Sequence, residues 1–392
     1  MQEDTGTFIG GLEEGVCIRQ FLSSANRIGL RLIRAADGLY NEASFQDILH
    51  QYDGLIFEKL GMVLFRSTEC RMYHLISGDQ LPGLQFVEHE SELFTAQETS
   101  IFPPGKEDPP WDWGLQQMNI HRSPYKGEGV RIALLDTGID LQHPDFQSSH
   151  IVAQSFVEGE SEQDQNGHGT HGAGLLIAGE KTTLGIRYSV VPNAELYVGK
   201  VLRNSGSSPS RYLMMGINWA LEQQCKVITI SMGSRIRRGV PYSTSYEKMA
   251  KAALDQGCLI ISAAGNDSFR HLDRLMPVAE PANCPSIMAV GAINYQQKMY
   301  NRSNAAVNPD TAIDLVAPGV GILSSFVGEQ RYKALSGTSM ATAYAAGIAV
   351  QHLQAQPDLT PLKLRALLRK RTQALNLPER DTGAGLIQAY WD

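Results

Sequence analysis

The sequence predicts an α/β protein in which a doubly wound, mostly parallel sheet is covered by helices on both faces and follows a small α+β module. The first supporting observation is a series of short, nearly continuous apolar runs, namely "GVRIALLDTG", "ELYVGKVL", "KVITISMG" and "CLIISAAGN". The second is that segments with helical spacing, such as "SRYLMMGINWALEQQ" and "SYEKMAKAALDQG", lie between these runs. Apolar strands that alternate with helices are typical of a parallel sheet buried on both faces.

The third observation concerns the first part of the chain, where strand-like and helix-like runs alternate over short distances. The strand-like runs are residues 29–36, 54–60, 62–67 and 84–90. Residues 44–52 and 69–77 have helical spacing instead. The resulting order, βαββαβ, predicts a ferredoxin-like module over residues 29–94.

Changes in composition along the chain indicate the domain organisation. No structure or role is assigned to residues 1–28. The stretch "TAQETSIFPPGKEDPP", residues 95–110, is rich in Pro and polar residues, which predicts an exposed linker. The α/β domain is then expected to occupy residues 111–392.

Composition excludes several classes of protein. The formal net charge of −7 gives no indication of nucleic acid or an anionic membrane as a partner. The five cysteines are widely spaced and form no CxxC pair, which argues against a disulfide framework and a thiolate zinc site. The N-terminus lacks a basic region followed by an apolar run, and no apolar stretch approaches about 18 residues. We therefore expect a cytoplasmic protein without a membrane span.

Three polar side chains suited to nucleophilic catalysis occur in the order Asp, His, Ser. Asp136 ends an apolar strand, His168 lies between two glycines, and Ser339 begins a segment with the composition of a buried helix. At a helix start, the backbone N–H of Ser339 and the helix dipole would face a developing oxyanion. Each residue also has an ordinary structural explanation, as a turn former, a loop residue or a polar group at a helix entrance.

The motifs around these residues, "ALLDTGIDLQHPDF", "DQNGHGTHGAGLLIAG" and "SGTSMATAYAAG", resemble those of the subtilisin-like serine proteases, or subtilases. The triad of that family has the chain order Asp, His, Ser. The segments "SAAGND", "PANCPSIMAVGAI", "DLVAPGVGILSS" and "TGAGLIQAYW" are similar to the family as well. The resemblance extends over residues 113–391 and implies a subtilisin-like fold and serine endopeptidase activity.

The resemblance implies a role for each matching residue. Ser339 would be the nucleophile, His168 the base that takes its proton, and Asp136 the group that orients the imidazole. Asn266, in "SAAGND", would donate its side-chain amide to the oxyanion. On the sequence alone, a turn residue after Gly265 is the favoured explanation for Asn266, and only the resemblance to the family reverses that preference. His171 and Thr170 are expected to brace the turn that carries His168.

The resemblance also implies how a peptide would bind. An extended substrate would add as a strand between two backbone edges, one of them within residues 202–210. The other edge would be Ser231, Met232 and Gly233. The pocket for the residue before the scissile bond would be lined by Ala263, Ala264 and Gly265. Asp164 and Asp267 match positions near the subsites, where they would favour basic substrate side chains. Solvated surface acids are the alternative explanation for both.

The N-terminal module resembles the propeptides of this family, which assist folding and inhibit the enzyme. Its last part, "LPGLQFVEHESELF", would lie in the active-site cleft as a product-like strand. We predict self-cleavage within residues 94–98. A permanently attached regulatory or docking domain is the alternative.

Two departures from the family pattern bear on function. The region "AGEKTTLGIRYSVVP" lacks the Asn-rich calcium loop, so no tight calcium site is expected there, and structural calcium elsewhere stays open. No cofactor is expected for catalysis. Ala343 and Tyr344 stand where the family has Pro and His. Because a proline inside a helix bends its axis, Ala343 would make this helix regular. Three alternatives to plain hydrolysis of peptides or proteins stay open: transpeptidation or macrocyclisation, dedicated peptide maturation, and peptide binding without catalysis.

Overall fold

The computed structural model describes residues 6–35, 45–77, 80–95, 99–100 and 112–391. They form an N-terminal α+β module, a connecting strand pair and a larger α/β domain. The strands of the module are β1 (Gly6–Leu12), β2 (Leu32–Arg34), β3 (Gly54–Phe57), β4 (Met62–Ser67) and β5 (Leu84–His89). Its helices are α1 (Ile18–Arg27), α2 (Phe45–Gln51) and α3 (Glu69–Ser77).

The module has a ferredoxin-like core, but the first strand and helix differ from those predicted. Its sheet has the order β2-β3-β4-β1-β5, and β1 runs antiparallel to both β4 and β5. The βαββαβ order is therefore made by β1, α1, β3, β4, α3 and β5, whereas β2 pairs in parallel with β3 at the edge. The predicted start at residue 29 is wrong, because residues 6–27 supply the central strand and its helix.

Two glycines explain why β1 escaped the sequence pattern. Gly10 and Gly11 lower the intrinsic strand propensity of "GTFIGGL". Large neighbours on the adjacent strands fill the space that side chains would need. A Cβ atom on Gly10 would lie 2.8 Å from the Phe65 ring, and one on Gly11 would lie 2.1 Å from the Phe86 ring. The aromatic rings on the adjacent strands leave space only for glycine at these two positions, and the glycines weaken the strand pattern in the sequence.

The larger domain consists of the following strands and helices. Its strands are β8 (Arg131–Asp136), β9 (His150–Ser155), β10 (Glu195–Lys200), β11 (Ser207–Pro209), β12 (Val227–Ile230), β13 (Met232–Gly233), β14 (Leu259–Ala263), β15 (Met288–Ile293), β16 (Leu315–Pro318), β17 (Ile322–Ser325), β18 (Tyr332–Ser336), β19 (Thr372–Gln373) and β20 (Leu386–Ile387). Its helices are α4 (Trp113–Gln117), α5 (His168–Ile177), α6 (Ser210–Glu222), α7 (Thr244–Asp255), α8 (Thr338–Ala355), α9 (Pro361–Lys370) and α10 (Glu379–Thr382). Strands β6 (Glu92–Thr95) and β7 (Thr99–Ser100) connect the module to this domain.

Within the described residues, the domain is built on a sheet of order β19-β20-β16-β15-β14-β12-β8-β10-β9. All neighbouring pairs from β9 to β16 are parallel, as predicted. The short pair β19 and β20 is antiparallel at one edge. Helices α5 and α8 pack on one face of the sheet, and α6 and α7 pack on the other.

The module completes the second of these two layers. Alternate side chains of its sheet, such as Phe8 and Ile56, pack under its own helices. The intervening side chains, such as Ile9 and Leu55, belong to the same apolar cluster as α6 and α7. One face of the module sheet is therefore buried against the larger domain, which places the end of β5 close to the C-terminal edge of the parallel sheet.

Candidate active site

Three predicted site residues lie at the carboxyl ends of adjacent parallel strands. Asp136 is the last residue of β8, Ser231 follows β12, and Asn266 lies just beyond β14. Because β8, β12 and β14 are neighbours in the sheet, their carboxyl ends meet at one edge. This is the edge at which doubly wound sheets hold ligands.

Asp136 and His168 form a buried pair at this edge. His168 is the first residue of α5, and its Nδ1 lies 2.6 Å from Oδ1 of Asp136. The backbone N–H of Thr137 donates to the same oxygen at 2.7 Å. A carboxylate only accepts hydrogen bonds, so the neutral imidazole carries its proton on Nδ1 and has Nε2 as the basic nitrogen.

Asp164 builds the turn that presents His168. Its Oδ1 accepts hydrogen bonds from Gly167 N (2.9 Å) and Thr137 Oγ1 (3.0 Å), and its Oδ2 accepts from the N–H and hydroxyl of Thr170. The side chain is buried. The predicted contact of Asp164 with substrate is therefore wrong, because its carboxylate is enclosed by the turn it stabilises.

His171 braces the same helix from the inside, as predicted. Its Nε2 donates to the carbonyl oxygens of Ile322 (3.0 Å) and Lys333 (3.1 Å), which ties α5 to β17 and β18. Burial, with a smaller contribution from nearby His168, lowers the pKa of His171 to about 3. The ring therefore stays neutral and has no acid–base use near neutral pH.

Sequence reasoning missed Lys200, which is fully buried beside Asp136. The two residues face each other in register across β8 and β10. Lys200 Nζ donates to Thr137 O at 2.5 Å and to Asn204 Oδ1 at 2.8 Å, and lies 3.2 Å from Glu160 Oε2. A lysine inside the apolar run "ELYVGKVL" is the sequence signal that could have identified it, since buried lysines need partners.

Thr338 fixes the orientation of Asn266. The Thr338 N–H donates to Asn266 Oδ1 at 2.9 Å, and the Thr338 hydroxyl donates to the same oxygen at 3.0 Å. A backbone N–H can only donate, so Asn266 must direct Oδ1 toward Thr338 and its NH₂ group away. Nδ2 is buried and has no hydrogen-bond partner within the described parts of the chain.

Ser339 lies in the first turn of α8, which packs beside α5. It is buried, and its Oγ lies 3.3 Å from the carbonyl oxygen of Ser231. The Ser231 hydroxyl contacts Ser339 O in return, at 3.4 Å. The structure thus brings the end of β12 and the start of α8 together at Ser339.

Strand β6 of the chain itself occupies the predicted peptide-binding edges. It pairs antiparallel with β11 on one side and with β13 on the other. Phe94 lies opposite Ser207 and Gly233, Thr95 lies opposite Met232, and Thr95 N donates to Gly206 O at 2.8 Å. Leu93 is buried in this sheet, whereas Phe94 is exposed.

Strand β7 pairs antiparallel with β18, where Thr99 lies opposite Ser336 and Ser100 opposite Leu335. Residues 96–98, which include most of the predicted cleavage stretch, lie outside the described residues. Of the predicted linker, only Thr95 and β7 are described.

A cavity of about 750 Å³ opens beside Asn266. Its lining includes Met232, Gly233, Ala263 and Gly265, in agreement with the predicted subsite residues. Ala264 is an exception, because its side chain belongs to the apolar core on the α5 and α8 face of the sheet. The prediction that Ala264 lines the pocket is wrong, since side chains at the end of β14 alternate between core and cleft.

Two carboxylates of the module bind the N-terminal ends of helices in the larger domain, which the sequence did not reveal. Glu88 accepts hydrogen bonds from Ser243 Oγ (2.8 Å) and Thr244 N (3.0 Å) at the start of α7. Glu90 accepts from Arg211 N (2.9 Å) in the first turn of α6. Helix N-termini carry partial positive charge and unpaired N–H groups, so both contacts hold the module beside the cleft.

The loop after α5 is organised by Asp145 and not by a cluster of acidic residues. Asp145 accepts hydrogen bonds from Tyr188 Oη (2.5 Å), Tyr332 Oη (2.9 Å) and Thr183 N (2.9 Å). Burial would raise the pKa of Asp145, but these hydrogen bonds hold it below its ordinary value. No group of three or more His, Cys, Asp or Glu suited to a metal ion was found in the described ranges.

Ala343 and Tyr344 lie inside an uninterrupted α8. Both are buried in the apolar core on the α5 side of the sheet. The Tyr344 ring packs against Gly114, whose added Cβ would lie 3.0 Å from it. In the parts of the chain that the structure describes, no helix has the length and apolar character needed to cross a membrane.

Comparison with known proteins gives these features a family. The family model described as "Subtilase family" matches residues 127–385. The chain is 33% identical over 312 residues to an alkaline protease of Alkalihalobacillus alcalophilus, covering 79% of this chain and 73% of that protein. It is 37% identical over 272 residues to an intracellular serine protease of Paenibacillus polymyxa, covering 67% and 79% respectively.

Among solved structures, fervidolysin from Fervidobacterium pennivorans, described as a keratinolytic enzyme related to subtilisin, is similar with a TM-score of 0.72 at 22% identity. The match covers 98% of this chain and 60% of the fervidolysin chain, and it shows a shared fold. The family match and the identities to named proteases agree with the resemblance in the three sequence motifs. The chain belongs to the subtilase family and is a subtilisin-like serine endopeptidase.

Proposed function

We propose that the enzyme cleaves peptide bonds through an acyl-enzyme on Ser339, with His168 as base and Asp136 as the residue that orients it. Ser339 Oγ attacks the carbonyl carbon while His168 Nε2 takes its proton and later protonates the leaving amine. Asp136 keeps Nδ1 protonated and stabilises the imidazolium. Water then attacks the acyl carbon while His168 Nε2 takes a proton from it. The ester bond to Ser339 Oγ breaks, His168 returns the proton to Oγ, and the new carboxyl group leaves with the N-terminal part of the substrate.

The observation that carries this proposal is the state of Asn266. An amide N–H pair that is buried without a partner among the described residues is costly unless a ligand uses it. Thr338 directs that group away from itself, at the start of the helix that carries Ser339. The Asn266 amide and the Ser339 N–H would together stabilise the tetrahedral oxyanion.

We further infer that the N-terminal module is an inhibitory propeptide. Strand β6 uses the two backbone edges that a substrate would need, so a substrate cannot bind while β6 remains between β11 and β13. Glu88 and Glu90 anchor the module immediately before this strand. These contacts support occupation of the cleft by the chain's own segment.

The register of β6 favours one bond for self-cleavage. Thr95 lies opposite Met232, so a substrate residue one position further would lie opposite Ser231, whose carbonyl oxygen is 3.3 Å from Ser339 Oγ. The residue at that position in the chain is Ala96. We therefore propose cleavage between Ala96 and Gln97, inside the stretch predicted from the sequence.

N-terminal sequencing and intact mass of the purified full-length chain test processing and catalysis together. We expect wild type to yield a mature chain that begins at Gln97, and Ser339→Ala to remain a single chain. Ser149→Ala, a matched change at a serine whose hydroxyl donates to Ile177 O, should be processed like wild type. Recovery of an uncut wild-type chain would contradict the propeptide, and absence of labelling by a serine-reactive fluorophosphonate would contradict the nucleophile.

Hydrolysis is the outcome that the structure supports for the acyl-enzyme. The transpeptidase hypothesis depends on Ala343 and Tyr344, whose described contacts are with the core and not with the cleft. Nothing in their packing favours an amine over water as the acyl acceptor.

A further inference from the structure

The cavity beside Asn266 receives its charged groups from only a few residues. Its described lining contains Glu92, Arg235 and Asp267 as charged side chains. Glu92 belongs to β6, the strand that would leave with the module. Among the described lining residues, the larger domain itself therefore contributes one cation and one anion.

These two side chains form an ion pair at the cavity wall, in which Arg235 Nε donates to Asp267 Oδ1. Asp267 is held in place from behind, because Asn304 Nδ2 donates to its Oδ2 at 3.2 Å and Asp267 N donates to Asn304 Oδ1 at 2.9 Å. The Asp267 side chain is 15% exposed and that of Arg235 is 62% exposed. The anion is therefore fixed and largely buried, whereas the cation is mostly exposed to solvent.

The position of the cavity relates it to the substrate residue before the scissile bond. That residue would lie opposite Ser231, and the cavity is lined by Ala263, Gly265 and Asn266 immediately beside it. Ala279 adds a further small side chain. An uncharged substrate side chain would contact small groups there, together with the Asp267 carboxylate, whose charge is balanced by Arg235.

Resting on the proposed function, we propose that Arg235 masks Asp267 and thereby sets the charge selectivity for the residue before the scissile bond. With the pair intact, the pocket accepts uncharged side chains and does not select Lys or Arg. Without Arg235, the fixed Asp267 carboxylate would attract a basic substrate side chain. Without Asp267, the remaining guanidinium would attract an acidic one. This reverses the expectation from sequence that Asp267 favours basic substrates.

The test compares kcat/KM for peptides that differ only in having Gln, Lys or Glu before the cleaved bond. We expect Arg235→Gln to raise the Lys-to-Gln ratio by about five- to tenfold, as is reasonable for one partly exposed charge pair. Asp267→Asn should raise the Glu-to-Gln ratio to a similar degree. The double variant should return both ratios to within about twofold of wild type, and high salt should reduce the effects.

Two controls make the result specific. Arg238→Gln removes a neighbouring guanidinium that donates to Leu275 O and does not line the cavity, so its ratios should match wild type. Self-processing should proceed in every variant, because Ala96 is uncharged. Active enzyme is counted in each sample by fluorophosphonate labelling of Ser339.

The outcomes separate this inference from the proposed function. Labelled enzyme whose Lys-to-Gln ratio is unchanged in Arg235→Gln would overturn the masking role alone. The same conclusion would follow if the double variant kept the ratio of Arg235→Gln, or if Arg238→Gln changed it equally. Wild-type protein that neither labels nor cleaves would overturn the proposed function and the selectivity together.

Discussion

At the residue scale, Asn266 and Ser339 depend on Thr338 for their arrangement. Thr338 occupies Oδ1 of Asn266 with two hydrogen bonds, and its hydroxyl accepts from Gly265 N at 3.2 Å. The amide direction therefore does not depend on substrate. Such preorganised donors contribute more in the transition state than in the ground state.

This arrangement predicts the effect of removing the amide. Asn266→Leu should lower kcat by about 10²–10³-fold with little change in KM, which is the known loss for the oxyanion donor of a subtilisin, a member of this same family. Asn193→Leu, at an exposed residue whose amide donates to Glu128, should leave kcat unchanged. Steady-state kinetics on one peptide ester decides between them, and a loss confined to KM would exclude an oxyanion role.

At the element scale, Asp145 connects the loop after α5 to β18. Its carboxylate accepts from Tyr188 before β10, from Tyr332 in β18 and from Thr183 in the loop. Tyr188 Oη also lies 2.8 Å from Ser325 Oγ in β17. Donors from the chain thus satisfy a carboxylate that would otherwise need a cation or water.

The hydrogen bond of Tyr188 should therefore have a measurable effect on stability. Tyr188→Phe should lower the free energy of unfolding by about 1.5–3 kcal/mol, the range for a hydrogen bond to a charged group. Tyr295→Phe, at a half-exposed tyrosine, is the matched control and should change it little. Urea denaturation of the Ser339→Ala background gives both values without self-digestion.

The same donor set predicts that this loop needs no metal ion. Treatment with a chelator should leave the melting temperature of the Ser339→Ala chain unchanged, because Asp145 is already satisfied by protein donors. A clear decrease that is restored by added Ca²⁺ would contradict this prediction.

At the scale of the whole molecule, the module and the larger domain meet through apolar layers and a few acidic groups. Glu280 follows the cavity residue Ala279, and its pKa is raised to about 7 by burial and by the charge of Glu88 across the interface. Tyr246 and Cys284 face the same group of acids, and burial raises the pKa of each of them too. The carboxylate of Glu88 binds the start of α7, so an ionised Glu280 would repel it and weaken the contact between the module and the larger domain.

This predicts that the stability of the full-length chain, in which the module contacts the larger domain, depends on pH. The folded pKa of Glu280 lies above its ordinary value of 4.5, so its contribution is complete below about pH 4.5 and is lost as pH rises through 7. In the full-length Ser339→Ala chain, this loss should be on the order of 2 kcal/mol. Adding Glu280→Gln should flatten the stability profile over that range.

Glu329→Gln, at an exposed position, serves as the control for this change. Its profile should follow that of the Ser339→Ala parent. If Glu280→Gln and its parent lose the same stability between pH 4.5 and 7, another group is responsible.

The sequence by itself determined the family, the α/β class of the larger domain and the identity of the candidate triad. Strands buried on both faces give continuous apolar runs, and the motifs around Asp136, His168 and Ser339 are local, so both signals are readable along the chain. The alternation of strand-like and helix-like runs predicts the ferredoxin-like class of the module. Its first strand was misplaced because Gly10 and Gly11 weaken the strand pattern of β1.

Only the tertiary structure decided how individual polar residues are used. Asp164 and Asp267 are alike in sequence, yet one is enclosed by its own turn and the other is paired with Arg235 at the cleft. Ala264 faces the core while its neighbours line the cavity, and Glu88 and Glu90 reach helices more than a hundred residues away. Such contacts depend on which atoms come together across the fold, and residue type and spacing carry no record of those partners.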